Sequence, residues 1–358
     1  MGVTAEVTVA VDAMGGDHAP EEIVGGVVER LRTAAGSRII LVGRRDAVEA
    51  ALSRRLRDAA GAAGAELRRR VEVVDAAEVV GMDEHPAQAV RAKRDSSIVR
   101  ACELVAQGVA RAVVSAGNSG AVLAAALFAI RRIPGVARPA IGALLPGLER
   151  RTFLLDVGAN TECRAEWLAQ FGVMGSVYAR SLMGVAEPRV ALLSNGEEPG
   201  KGSSLVQAAH PLLAAAPIRF TGNVEGRDLM SGACDVAVTD GFTGNVALKA
   251  AEGVGEYLFA VLRREARASR RAMLGGLLLR PRLRAIRDRV DYRATGGALL
   301  LGVAGEVVIA HGRSDATAIA NAIRVAERAV EKDVSGTIAA ALPREAAAAT
   351  AAATDEVP

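Results

Sequence analysis

Ten short runs of β-branched and apolar residues, each set off from the next by a longer stretch, leave this chain few architectures to choose from. The runs are Val7–Val11, Arg38–Val42, Val71–Val74, Ala112–Ser115, Ile141–Leu145, Phe153–Asp156, Arg189–Leu193, Ile218–Thr221, Val236–Thr239 and Val307–Ala310. Helical patterns fill most of the gaps between them. Strands alternating with helices predict an α/β fold, a mainly parallel sheet covered by helices. A chain of 358 residues is long enough to bury a substantial core. With aromatics at only 3%, that core must be built from Ala, Val, Leu and Ile. The reading is one α/β domain over residues 1–343, followed by an Ala-rich tail, 344–358, expected to be disordered.

The turns at the ends of these runs are more specific. Asp12-Ala-Met-Gly-Gly-Asp-His18, Ser115-Ala-Gly-Asn-Ser-Gly120 and Asp156-Val-Gly-Ala-Asn160 are three of them. Ser194-Asn-Gly-Glu197, Thr221-Gly-Asn223 and Thr239-Asp-Gly-Phe-Thr-Gly-Asn245 are three more. Glycine lets backbone approach a ligand, while Asn and Asp supply hydrogen-bonding groups without bulk. One such turn is ordinary turn chemistry. Six of them at the carboxyl ends of strands predict a binding cleft along one sheet edge.

Several classes of function are disfavoured. Cys102, Cys163 and Cys234 are widely spaced, so neither a disulfide framework nor a zinc site is indicated, and a reducing cytoplasm fits best. Glu6 and Asp12 interrupt the N-terminal apolar stretch, which argues against an export signal. The 19 uncharged residues Ala112–Ile130 have the length of a membrane span, but the central Ser115-Ala-Gly-Asn-Ser-Gly120 reads as a strand, turn and helix. No G-x-G-x-x-G comes after the first run, so a nicotinamide cofactor is not expected. Gly196-Glu-Glu-Pro-Gly200-Lys201-Gly202-Ser203 resembles a P-loop but is one residue short and lacks the hydroxyl that would hold Mg²⁺. Gly200, Lys201 and Gly202 remain a candidate anion site, since free backbone amides and the lysine would converge there. His18, His85, His210 and His311 show no metal-ligand spacing, and no metal is expected. Asp12, Asp156 and Asp240 end strands and either act in the cleft or cap their own turns.

One segment stands apart electrostatically. Between Arg263 and Arg289 ten arginines face two acids, a local net charge of +8 in a chain whose total is +3. It reads as a helical hairpin within residues 251–293 that turns at Gly275-Gly276. Its tip carries Leu274, Leu277 and Leu278, flanked by Arg263, Arg264, Arg267, Arg270, Arg271 and Arg280. An apolar tip ringed by arginines suits an anionic membrane surface or an acidic protein; a helical dimer seam is the plainer alternative. Nucleic acid is disfavoured, because no aromatic platform is interleaved with the charge.

Val9-Ala-Val-Asp-Ala-Met-Gly-Gly-Asp-His-Ala-Pro20, Ser115-Ala-Gly-Asn-Ser-Gly-Ala121, Leu155-Asp-Val-Gly-Ala-Asn160 and Val238-Thr-Asp-Gly-Phe-Thr-Gly-Asn-Val246 closely resemble the bacterial phosphate acyltransferase (PlsX) family, over about residues 7–335. Further matching stretches are Pro86–Ser97, Phe171–Tyr178, Gly296-Gly297 and His311–Asp315, with Ser119 and Asp95 as small departures. The resemblance implies transfer of an acyl group from acyl carrier protein to inorganic phosphate, with no cofactor. It also implies a fold like isocitrate and isopropylmalate dehydrogenases and phosphotransacetylases. A homodimer is implied as well, in the cytoplasm with peripheral membrane contact, whose product feeds a glycerol-3-phosphate acyltransferase. On this reading Lys201 with Gly200 and Gly202 holds phosphate, with Asn245 and Lys249 as further candidates. Asn118 and Asn160 would stabilise the oxyanion, His18 or His311 would protonate the departing sulfur, and Asp12 or Asp240 would orient the donors. Cys163 as a covalent nucleophile is the alternative to direct attack. The rival functions are a phosphotransacetylase using small acyl-CoA and a non-catalytic scaffold for carrier protein at the membrane.

Overall fold

The computed structural model describes residues 7–34, 36–57, 62–290 and 296–342; the tail expected at 344–358 lies outside them. The strands are β1 (Val7–Asp12), β2 (Ser37–Gly43), β3 (Val71–Asp75), β4 (Ala112–Ser115), β5 (Ala140–Leu145) and β6 (Thr152–Leu155). They continue with β7 (Arg189–Leu193), β8 (Arg219–Val224), β9 (Val236–Val238), β10 (Ala298–Leu301) and β11 (Glu306–Ile309). The first helices are α1 (Glu21–Thr33), α2 (Arg45–Arg57), α3 (Ala62–Arg69), α4 (Pro86–Ala92), α5 (Ser97–Ala106) and α6 (Ser119–Ala129). After them come α7 (Ala165–Leu182), α8 (Ser204–Ala215), α9 (Gly241–Glu265), α10 (Arg270–Val290), α11 (Ala316–Glu331) and α12 (Val334–Ala341).

All eleven strands join one sheet in the order β3-β2-β1-β4-β11-β10-β5-β6-β9-β7-β8. Pleating divides the apolar residues between its faces. Val9 and Val11, Phe153 and Leu155, and Val236 and Val238 meet α1, α7 and α11 on one face. Ala10, Leu154 and Ala237 face the other side, toward α5, α6 and α9.

The sequence runs are found as strands, with one addition. β10, in Gly-Gly-Ala-Leu-Leu-Leu-Gly, is too short and uniformly apolar to separate from a helix by periodicity. It matters because it runs antiparallel to both β11 and β5, and β5 in turn is antiparallel to β6. The strands β1 to β4 and β11 therefore point one way, and β6, β9, β7 and β8 the other. The strand-end turns divide into two groups instead of lining a single edge. Sheet twist averages about 20–25° per step. Over the five steps from β1 to β6 that average turns the axes by roughly 100–125°.

The hairpin also differs from expectation. The break falls at Ala266–Ser269, where the Ser269 hydroxyl accepts the Ala272 amide at 3.1 Å and starts α10. Gly275 and Gly276 lie inside α10, and a Cβ on Gly276 would stand 3.1 Å from that of Ala266, so this glycine leaves room for the connecting turn. Leu274, Leu277 and Leu278 accordingly occupy the first turns of α10 and are 62%, 62% and 74% exposed. Among the described residues no helix is long and apolar enough to cross a membrane.

Candidate active site

The first turn group belongs to β1, β4 and β11, which are neighbours in the sheet. Asp12 ends β1 fully buried, and its two oxygens accept the Met14 amide at 3.1 Å and the Ser115 hydroxyl at 2.7 Å. Ser115 Oγ in turn accepts the Gly117 amide at 3.0 Å. Burial raises the Asp12 pKa, and hydrogen bonds from Ser97, Ser115, Met14 and Gly15 oppose it. Asn118 caps α6 by accepting the Gly120 and Ala121 amides at 3.0 and 3.2 Å. Its Nδ2 donates to the carbonyls of Met82 and Glu84 at 2.8 and 3.4 Å. The Asn118 donors expected at an oxyanion are therefore committed to holding the loop before α4. That loop is also held by Lys93, whose Nζ is 2.6 Å from Glu84 Oε1.

The turn after β11 docks here through Asp17 N, which donates to the Gly312 carbonyl at 2.8 Å. His311 is half-buried, and its Nδ1 accepts the Arg313 amide at 3.4 Å. Burial first, and then the charge of Lys249, depress its pKa, so the imidazole is neutral near pH 7. His18 is exposed on the turn after β1.

The second group belongs to β6, β9 and β7, again neighbours. Asp156 comes directly after β6 with no exposure, and its carboxylate is the hub of the turn. Oδ1 accepts the amides of Ile141, Gly158 and Ala159 at 3.0, 3.2 and 3.1 Å. Oδ2 accepts the Asn160 amide and its Nδ2 at 2.7 and 2.9 Å. Burial still raises the Asp156 pKa against these bonds. Asn160 Nδ2 also donates to the Pro139 carbonyl at 2.8 Å, so this side chain too is occupied structurally, not free for an oxyanion.

Asp240 caps α9, accepting Thr243 N at 2.8 Å and Thr243 Oγ1 at 2.7 Å. It acts as a helix cap, the alternative the sequence had left open. Asn245 Nδ2 reaches the Val157 carbonyl at 3.0 Å, and Gly241 N the Asn160 carbonyl at 2.7 Å, so the turns after β6 and β9 form one unit. Cys163 belongs to it, with Sγ 3.6 Å from the Asn160 carbonyl; burial pushes its thiol up to about 11.

Lys201 stands on the same edge, in the loop after β7. The turn amides expected to face an anion are partly spent: Lys201 N donates to the Glu198 carbonyl at 3.0 Å and Gly202 N to Asn195 Oδ1 at 2.9 Å. Gln207 Nε2 fixes the loop through the carbonyls of Gly200 and Gly202 at 3.0 and 3.1 Å. The Thr221-Gly-Asn223 turn proves to lie inside β8, where Asn223 Nδ2 holds the Glu198 carbonyl at 2.8 Å. What the loop leaves available is the Lys201 ammonium, exposed and in no ion pair among the described residues. Lys249 differs, since its Nζ is 2.7 Å from Glu252.

α9 bridges the groups: it starts at the Asp240 cap, packs along β5 and β6, and brings Lys249 close enough to act on His311. Two contributors went unremarked in the sequence. Ser97 and Ser115 hold Asp12 from α5 and β4, and only their presence in motif stretches hinted at it. Among the described residues no cluster of acids, histidines and cysteines could hold a metal ion.

Comparison with known proteins gives this geometry a context. The family model described as "Fatty acid synthesis protein" matches residues 7–337. A phosphate acyltransferase from Heliobacterium modesticaldum is 50% identical over 335 residues, covering 94% of this chain and 97% of its own. One from Pelotomaculum thermopropionicum is 50% identical over 326 residues, covering 90% and 91%. Among solved structures, a phosphotransacetylase from Streptococcus pyogenes superposes with a TM-score of 0.63 at 17% identity, over 91% of this chain and 94% of its own. That likeness concerns the fold.

Proposed function

This chain belongs to the fatty acid synthesis protein family, and on that premise we propose that it transfers a fatty acyl group from acyl carrier protein to inorganic phosphate. It is an acyltransferase, as its half-identical relatives are. The products are acyl phosphate, which supplies phospholipid synthesis through a glycerol-3-phosphate acyltransferase, and free carrier protein.

The observation that carries the mechanism is the pairing of an unpartnered cation with an inert thiol on one sheet edge. Lys201 offers its ammonium beyond β7, while Cys163 beside the Asp156 turn stays protonated near neutral pH. That combination favours direct displacement over an acyl-enzyme. A phosphate oxygen attacks the thioester carbonyl, the carbon–sulfur bond breaks, and the pantetheine thiolate leaves. Hydrogen phosphate supplies the proton the thiolate needs, so atoms and charge balance without an imidazolium. This suits a His311 that is neutral at pH 7. His18, exposed nearby, remains the other candidate near the sulfur. With Asn118 and Asn160 committed to scaffolding, the oxyanion is left to backbone amides of the glycine turns they brace. Catalysis then rests on positioning and charge neutralisation.

The exposed α9–α10 hairpin extends the reading. Leu274, Leu277 and Leu278 stand beside Arg270, Arg271 and Arg280, with Arg263 and Arg264 on the end of α9 and Arg267 in the break after it. We assign this surface to peripheral contact with an anionic membrane, to the acidic carrier protein, and to a homodimer seam along the exposed Val254 and Leu258.

The deciding assay is phosphate-dependent formation of acyl phosphate from long-chain acyl carrier protein, with acetyl-CoA as competitor substrate. Preference for the carrier protein is expected; preference for acetyl-CoA would move the chain to the phosphotransacetylase reading. Replacing Lys201 by Ala should raise the KM for phosphate at least tenfold, and an unchanged KM would remove Lys201 from the phosphate site.

A further inference from the structure

Away from both turn groups, a cavity of about 660 Å³ opens between the end of α7, the outer face of α11 and the loop joining β5 to β6. Its size falls in the range of small-molecule sites, about 300–1,000 Å³. It lies at the entry ends of β6 and β9, the ends opposite those that carry Asp156 and Asp240: Asp235 lines it and immediately precedes β9.

Its charge is unbalanced. Arg150 and Arg151 enter from the loop before β6, and Arg324 and Arg328 from successive turns of α11. The one acid in the lining, Asp235, is already taken by Arg189, which approaches its two oxygens at 3.1 Å with Nε and Nη2. Arg328 donates to the Leu182 carbonyl at 2.7 Å, and among the described residues Arg150, Arg151 and Arg324 pair with no carboxylate. Asp235, held by Arg189 and acted on also by Arg150, is the one counter-charge to four guanidiniums, whose remaining repulsion an anion relieves. Between them lies Tyr178, its ring stacked on Phe153 at 3.6 Å. Burial raises the pKa of its hydroxyl, so it is a neutral donor, and Arg328 and Arg151 lie near enough to act on it.

The remaining wall is apolar. Leu144, Leu182, Met183, Val185 and Val325 line it, contributed by β5, the end of α7 and the turn after it, and α11. A purely inorganic anion has no use for such a wall, and a purely apolar ligand none for the arginines.

We propose that this cavity is a second ligand site, separate from the acyl-transfer site, for a phosphate monoester bearing an alkyl chain, with the phosphate among Arg151, Arg324 and Arg328 and the chain along Met183 and Val185. The ligand has the chemistry of a monoacylglycerol phosphate, a single chain ending in a monoester phosphate, and the site stands whether or not the acyl-transfer reading does.

Calorimetric titration of the full chain with dodecyl phosphate, below its micelle concentration, tests this. The K201A variant should bind it as the parent does, while R151Q/R324Q should bind at least tenfold more weakly with its turnover of acyl carrier protein unchanged. M183W, which fills the cavity and leaves the charge intact, should also lose binding, and it keeps the test open if the double variant fails to fold. Inorganic phosphate and glycerol 3-phosphate should each bind at least tenfold more weakly than dodecyl phosphate. Equal affinity of inorganic phosphate would overturn the alkyl assignment. Absent binding in the parent, undiminished binding in both R151Q/R324Q and M183W, or loss confined to K201A would overturn the site. Loss of turnover in the parent assay would count against acyl transfer alone.

Discussion

Asp12 and Asp156 sit at the ends of strands that run in opposite directions, and each gathers a glycine turn around a buried carboxylate. The groups differ in their lysines. Beside the first, Lys93 is bound to Glu84, and Lys249 to Glu252. Beside the second, Lys201 is unpaired among the described residues. The carboxylates are therefore scaffolding common to both groups, and on the proposed function the reacting phosphate goes to the lysine left without a partner. We accordingly assign the reacting phosphate to the β6-β9-β7 edge and leave the β1-β4-β11 edge to shape the cleft around the thioester.

The largest expected effect comes from breaking the second turn unit itself. A Cβ on Gly244 would stand 1.8 Å from the Asp156 carbonyl oxygen, a backbone atom that cannot move without shifting the turn. Gly244→Ala should cost about 3 kcal/mol or more, the upper end of overpacking, because the clash is with fixed backbone. Gly15→Ala, whose Cβ would meet Asp12 Oδ2 at 2.6 Å and Gly117 N at 2.7 Å, probes the first unit in the same way. Urea unfolding of both would show whether the second unit is the tighter one; a smaller loss at Gly244 than at Gly15 would reverse that ranking.

The sequence made the aspartates visible and their duties invisible. An apolar run ending in Asp and then a glycine turn marks a strand end at Asp12 and Asp156 alike, because burial and turn chemistry are both local. The commitments of Asn118 to Met82 and of Asn160 to Pro139 are tertiary, so amides that read as free donors proved to be braces. Strand polarity was hidden for a similar reason: three leucines at 299–301 reverse the sheet, and nothing in their composition tells direction. In the hairpin, Gly275-Gly276 looked like the turn because glycine breaks helices, yet the Ser269 cap starts α10 before them. The arginines of the cavity come from segments more than 170 residues apart, so no local window could gather them.

A carboxylate outside both groups provides the control. Glu306 begins β11 in the interior, where burial raises its pKa to about 7, although the Ser335 amide at 2.8 Å and its hydroxyl oppose the rise and Asp333 adds to it. Arg111 also opposes it. A folded-state pKa above the unfolded value of 4.5 means that the native state holds the proton more tightly. The resulting stabilisation is complete below about pH 4.5 and is lost as pH rises through about 7. A shift of this size corresponds to an effect on the order of 3 kcal/mol. Glu306→Gln should flatten stability between pH 5 and 8 without altering the phosphate KM; an unchanged pH profile would remove Glu306 as its source.

The two lysines sharpen the contrast at smaller scale. If an unpaired ammonium is what marks the reacting edge, Lys201→Ala should raise the phosphate KM at least tenfold, whereas Lys249→Ala, already neutralised by Glu252, should change it about threefold or less. Lys249→Ala should also raise the His311 pKa, because one of the charges depressing it is gone. Proton NMR titration of the imidazole checks that directly. Equal KM effects at both lysines would mean that phosphate is shared between the two edges, with α9 as the bridge.

The smallest expected change is the most discriminating for mechanism. Cys163 lies within the second turn unit, its Sγ 3.6 Å from the Asn160 carbonyl, on the edge to which the proposed function assigns phosphate. Burial pushes its thiol up to about 11, so only a minor fraction carries a thiolate at pH 7. A covalent route would have to proceed through that fraction, whereas hydrogen phosphate is abundant and already anionic. Cys163→Ala should therefore leave kcat within twofold. With acyl carrier protein and no phosphate, no burst of free carrier protein should appear in the parent. A burst that vanished in Cys163→Ala would establish an acyl-enzyme and reverse the division of labour between the two groups, making the turn thiol the reacting group and Lys201 its electrostatic support.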